Sequence, residues 1–111
     1  MTKKKIIIAG ASGMIGGIIL RSAMMSDAIS QIVSLVRKPS GITHLTLKEI
    51  TISDFLNYSD IKEQLTDFDA AYFCIGVYTG SVPDEQFKII TVDYAKAFID
   101  VIKEQSPHAN F

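Results

Sequence analysis

The sequence holds a single cysteine, Cys74, in 111 residues. That excludes an internal disulfide framework and a cysteine-rich zinc site, and it makes a reducing, cytoplasmic setting the expectation. There is no excess of charge of one sign. Eleven Lys and Arg stand against twelve Asp and Glu, for a formal net charge of -1. Binding to nucleic acid through phosphate neutralisation is therefore not expected. There is also no apolar run long enough to span a bilayer, which takes roughly 20 residues. The longest, residues 6–20, follows Lys3, Lys4 and Lys5 and precedes Arg21-Ser22-Ala23, and so imitates a secretory leader. Gly10, Gly13, Gly16 and Gly17 interrupt it, and each costs a helix about 1 kcal/mol relative to alanine. Internal repeats and linker-like stretches are absent as well. Asn57-Tyr58-Ser59 matches a glycosylation sequon, which has no meaning in a cytoplasmic protein.

What remains is a globular balance, 48% hydrophobic and 21% charged, in a chain long enough for one core. Residues 4–9 contain three consecutive isoleucines and suit a short strand buried on both faces. Residues 14–25 carry Ile15, Ile18, Ile19 and Ala23 at helical spacing. Residues 31–36 form a second buried strand, and Pro39 and Gly41 then break the chain. A third strand is expected over 45–52, a short polar helix over 58–65, and a fourth strand over 70–75. After a loop at 76–83, Phe87, Ile90, Tyr94, Ala97, Phe98, Val101 and Ile102 make a long apolar stripe. That helix, over 84–105, starts at Pro83-Asp84-Glu85 and stops before Pro107. Strands alternating with helices imply an α/β fold with a parallel sheet and helices on both faces.

The sharpest motif is Gly10-Ala11-Ser12-Gly13-Met14-Ile15-Gly16, glycines at intervals of three between a buried strand and an amphipathic helix. The setting is that of a dinucleotide-binding turn. Gly10 allows a sharp turn off the strand, Gly13 leaves the backbone bare for a pyrophosphate, and Gly16 allows close helix packing. Backbone N–H groups and the positive end of the helix dipole face the anion, and Ser12 adds a hydroxyl. The alternative is a tight turn that binds nothing. No Gly-Lys-Ser/Thr follows, so this is not a P-loop, and Ser12 lacks the frame of a hydrolase elbow.

About 20 residues beyond such glycines, an acid usually holds the adenosine ribose of NAD. Here Val36-Arg37-Lys38 stands instead, with no Asp or Glu between Ala28 and Lys48. Arg37 can pair bidentately with a 2′-phosphate, which points to NADP in preference to NAD. The alternative is an ordinary pair of solvated cations.

The glycine turn and Leu35-Val36-Arg37 resemble the start of the atypical and extended short-chain dehydrogenase/reductase superfamily. Ser53-Asp54-Phe55 and Tyr72-Phe73-Cys74-Ile75-Gly76 resemble its atypical branch, which includes NmrA-like and Tat-interacting oxidoreductase-like proteins. The resemblance covers nearly the whole chain. It implies a three-layer Rossmann-type fold with sheet order 3-2-1-4 and the start of a fifth strand, so that residues 1–111 are an NAD(P)-binding domain without the catalytic and substrate part. It implies that Ser12, Gly13, Met14 and Ile15 line the pyrophosphate and that Arg37 meets the 2′-phosphate. Asp54 and Phe55 sit beside the adenine, and Ile75 and Gly76 lie under the cofactor. For Asp54 the alternative is a turn residue, and for Gly76 a plain strand end.

The superfamily's general acid/base is a Tyr-x-x-x-Lys pair after the fifth strand, absent from these residues. Tyr58-Ser59-Asp60-Ile61-Lys62 fits the spacing but lies between the third and fourth strands, where a solvent-facing i,i+4 pair is expected. The superfamily's extended branch has Asn where Thr91 stands. His44, His108 and Cys74 are too scattered for a metal site, and Cys74 reads as a small packed hydrophobe. Lys3, Lys4 and Lys5 read as a solvated cluster at the sheet end away from the cofactor. The functional expectation is an NADP(H)-binding domain of an oxidoreductase or epimerase-like protein. The rivals are a non-catalytic NmrA-like dinucleotide sensor with a protein partner and an interaction module that has lost its cofactor. Self-association is expected through the 84–105 helix or an unpaired fourth-strand edge, with no nucleic acid or membrane partner.

Overall fold

The computed structural model describes residues 3–11, 14–75 and 92–110. Four strands, β1 (Lys4–Ala9), β2 (Ile29–Val36), β3 (Leu47–Thr51) and β4 (Ala70–Phe73), form one parallel sheet in the order β3-β2-β1-β4. Helix α1 (Met14–Met24) packs on one face and α2 (Tyr94–Gln105) on the other. The α/β class and strand order are as expected. No helix among the described residues is long and apolar enough to cross a membrane.

The isoleucine run of β1 explains the layering. Successive side chains of a strand point to opposite faces. Ile6 and Ile8 therefore meet Leu20, Ala23 and Ile32 beneath α1, while Ile7 and Ala9 meet Val33, Leu35, Phe98 and Ile102 beneath α2. A central parallel strand buried on both sides needs apolar residues at every position. Each such isoleucine contributes about 1.5–3 kcal/mol of burial.

The buried stripe of α1 differs from the expected one. Ala23 is buried as expected and Ile19 packs partly against the core, but Ile15 and Ile18 are exposed, and Gly16, Gly17 and Leu20 are buried in their place. The cause is the turn before it. Gly10 adopts φ +93°, and a Cβ at Gly16 would collide with the Gly10 carbonyl. The helix docks along its glycines, and that rotation turns Ile15 and Ile18 outward.

The expected polar helix over 58–65 is a three-residue 3₁₀ turn, Lys62–Gln64. Its carbonyls accept from three residues on: Ile61 N to Tyr58 O, Gln64 N to Ile61 O, Leu65 N to Lys62 O. The segment is not polar inside, because Tyr58, Ile61 and Leu65 are buried in the α2-side core. The third strand starts at Leu47 rather than residue 45, and Leu45 is fully exposed. The fourth ends at Phe73 rather than residue 75.

Helix α2 buries Phe98, Val101 and Ile102 and stops at Ser106, before Pro107. Phe87, Ile90, Thr91 and the expected helix start near Pro83 lie outside the described residues. The outer edge of β4 is not bare. Ala71 N donates to Asn110 O (2.7 Å) and Asn110 N to Asp69 O (3.0 Å), an isolated parallel bridge on the side where a fifth strand is expected. Lys5 departs from a solvated cluster: its Nζ donates to Thr66 O (3.1 Å) and lies 4.5 Å from the Phe68 ring centroid.

Candidate functional site

The carboxyl ends of β1, β2 and β4 open onto one cavity of about 550 Å³. Ligands of open parallel sheets bind at this end. Gly10 and Ala11 of the β1–α1 turn form one wall, and Ser34, Arg37 and Lys38 of β2 and its following loop another. Glu49 of β3 stands at the rim, and Phe55, Ile75 and Tyr94 close the α2 side.

The turn brings bare backbone to this cavity. A Cβ at Gly10 would lie 2.7 Å from the Cys74 carbonyl carbon and 2.8 Å from Ile75 N, so only glycine fits between β1 and β4 there. The first turn of α1 carries no acidic residue, leaving the positive end of its dipole uncompensated for an anion.

Of the residues expected at the site, Gly10, Arg37, Phe55 and Ile75 line the cavity. Gly16 packs against Gly10 and supports the wall from behind. Met14 opens α1, whereas the Ile15 side chain is exposed. Asp54 is exposed, and its Oδ1 accepts from Leu56 N (2.9 Å), closing its own turn. Ser12, Gly13 and Gly76 lie outside the described residues.

Arg37 is exposed, yet it is held by neighbouring side chains. Its Nη2 donates to Tyr94 Oη (3.1 Å), and its Cζ sits 5.5 Å from the Phe55 ring centroid and 5.9 Å from that of Tyr94. The two rings pack at 5.7 Å and 40°.

Two strand residues of the cavity, besides the Tyr94 hydroxyl, escaped the sequence reading. Ser34 is fully buried, and its Oγ finds no hydrogen-bond partner among the described residues. Glu49 sits opposite Ser34 in the β2–β3 register. Its carboxylate accepts from Ser40 N (3.1 Å) and Ser40 Oγ (2.6 Å), tying the loop after β2 to β3. The window without acids ends one residue before Glu49, and parallel pairing brings it alongside β2. Strand register is the only signal that reveals it.

The spaced pair Tyr58 and Lys62 is elsewhere. Both line a groove against α2, where Lys62 Nζ meets Glu104 Oε1 at 3.2 Å. Tyr58 is not solvent-facing as expected, because its ring is buried beside Phe98, 6.5 Å between centroids. Burial foremost, with the Asp54 charge second, pushes its phenol well above the usual range. Burial also raises the Cys74 thiol, which disfavours the reactive thiolate. Among the described residues no group of His, Cys, Asp and Glu gathers to hold a metal ion.

No protein-family description matches the sequence, and no curated protein matches it. Solved structures do. A short chain dehydrogenase family protein from Francisella tularensis subsp. tularensis SCHU S4 superposes with a TM-score of 0.72 at 16% identity, over 95% of this chain and 47% of that one. The chain has the fold of these dehydrogenases. A short chain dehydrogenase from Leptospira borgpetersenii with bound NAD+ gives 0.73 at 17% identity, over 94% of this chain and 46% of that one. A UDP-N-acetylglucosamine 4-epimerase from Methanobrevibacter ruminantium M1, in complex with UDP-N-acetylmuramic acid, gives 0.71 at 20% identity, over 95% and 36%. This chain spans less than half the length of each.

Proposed function

We propose that the chain is the dinucleotide-binding portion of a short-chain dehydrogenase/reductase-type oxidoreductase or epimerase, and that it takes NADP(H) in preference to NAD(H). One observation carries the reading: the cavity at the strand ends is walled by the bare Gly10 turn on one side and by Arg37 and Lys38 on the other. Bare main chain suits a pyrophosphate, and cations about 20 residues beyond the glycines suit a 2′-phosphate, where the fold puts the adenosine ribose.

In this reading Gly10, Ser12, Gly13, Met14, Ile15 and Gly16 form the pyrophosphate turn, and Arg37 pairs with the 2′-phosphate. Phe55 and Ile75 supply apolar walls, with Asp54 and Gly76 flanking them. A nicotinamide dinucleotide, when bound, supplies a hydride donor or acceptor. The chain's own residues hold and orient it. Among the described residues the cavity carries no tyrosine and lysine four positions apart, so proton transfer is not assigned to them. Nothing among the described residues favours the sensor or interaction-module alternatives.

The test is calorimetric titration of the 111-residue chain with NADP+ and NAD+. A charge-assisted contact corresponds to roughly 10–150-fold discrimination for NADP+. Arg37→Asp removes that discrimination while leaving NAD+ binding nearly intact. Equal losses for both dinucleotides defeat the assignment of Arg37, and saturation by neither defeats the function.

A further inference from the structure

The Arg37 guanidinium is exposed, yet three contacts from two other segments fix its position. Phe55 is buried and anchored in the core, so it is a rigid shelf. Tyr94 leans on that shelf at the first residue of α2 and presents its hydroxyl oxygen to Arg37 Nη2. A guanidinium has five N–H donors, so one bond to Tyr94 leaves the fork free for a phosphate. Cation–π attraction to the two rings holds the guanidinium over them, and the bond to the hydroxyl limits its rotation. All three residues line the same cavity.

We propose that Tyr94 is the positioning residue for Arg37 and thereby sets the choice between NADP and NAD. The inference rests on the proposed dinucleotide function and adds the group that prepares its phosphate contact. A mobile arginine loses rotamer freedom each time it grips a phosphate, whereas one already held loses less. The Tyr94 hydroxyl thus favours binding of the 2′-phosphorylated form over the unphosphorylated one.

The experiment is titration of the full chain and its Tyr94→Phe variant with NADP+, NAD+, 2′,5′-ADP and 5′-AMP. Phenylalanine keeps the ring on its shelf and removes only the hydroxyl, and a circular dichroism melt checks that the fold is retained. The expected result is a roughly two- to tenfold fall in the affinity ratio of NADP+ to NAD+, with a parallel fall for 2′,5′-ADP against 5′-AMP. In an Arg37→Met background, Tyr94→Phe has no further effect on that ratio. A ratio that stays constant, rises, or falls equally without Arg37 overturns the positioning role while the dinucleotide function stands. Failure of the unsubstituted chain to bind any of the four overturns both.

Discussion

Gly16 of α1 rests directly against the main-chain carbonyl of Gly10, with no room for a Cβ between them. The contact places the helix start beside the end of β1 and holds open the wall of the cavity. Gly16→Ala drives a methyl into backbone, which cannot move aside like a flexible side chain. A loss of about 1–3 kcal/mol follows, or a Tm lowered by roughly 5–20 °C. At Gly17 the added Cβ lies 3.3 Å from Ala11 O, and the gain in helix propensity, about 1 kcal/mol, offsets the tightness. Thermal melts of the two variants test this, and a Gly16→Ala melt matching the unsubstituted chain contradicts it.

Much of this architecture was legible because its determinants are local. Three isoleucines in β1, the turn at Gly10 with its close contact to Gly16, and the stripe through Phe98, Val101 and Ile102 each read correctly from spacing. The failures share a cause: tertiary contact overrode local pattern. Ile15 and Ile18 fit a helical stripe, but the Gly10–Gly16 contact rotated α1 away from it. Residues 58–65 looked polar because most of them are, yet Tyr58, Ile61 and Leu65 alone decide how the segment packs. At the candidate site, Gly10 and Arg37 stood out by residue type and distance from a strand. Ser34, Glu49 and the Tyr94 hydroxyl did not, since register and the crossing of α2 put them there.

Ser106 and Ser34 are both buried serines with opposite expectations. Ser106 Oγ donates to Leu65 O (2.6 Å) and accepts from Phe68 N (3.0 Å), joining the end of α2 to the segment before β4. Ser106→Ala leaves two main-chain groups unpaired and costs about 2–4 kcal/mol. Ser34→Ala deletes a hydroxyl without a partner among the described residues, and it is neutral or stabilising by up to about 1 kcal/mol. Urea denaturation of both variants is the measurement. Similar losses in the two contradict the contrast.

Tyr58 makes stability depend on alkaline pH. Its hydroxyl is buried and unpartnered among the described residues, and its phenol is raised well above the ordinary value near 10 by burial and then by Asp54. The folded state therefore holds the phenolic proton more tightly than the unfolded chain does. The stability associated with this group is intact below about pH 10 and is lost as pH rises beyond it, because the unfolded tyrosine ionises first. Tyr58→Phe keeps the ring packed beside Phe98 and removes both the unsatisfied hydroxyl and the titration. Near neutral pH the variant is as stable as the unsubstituted chain or more so, by up to about 1 kcal/mol. Above about pH 10 its denaturation midpoint declines less steeply. Urea midpoints from pH 7 to 11 decide it: parallel curves for the two proteins mean that the phenol reaches solvent and that the packing of residues 58–65 against α2 is looser than described.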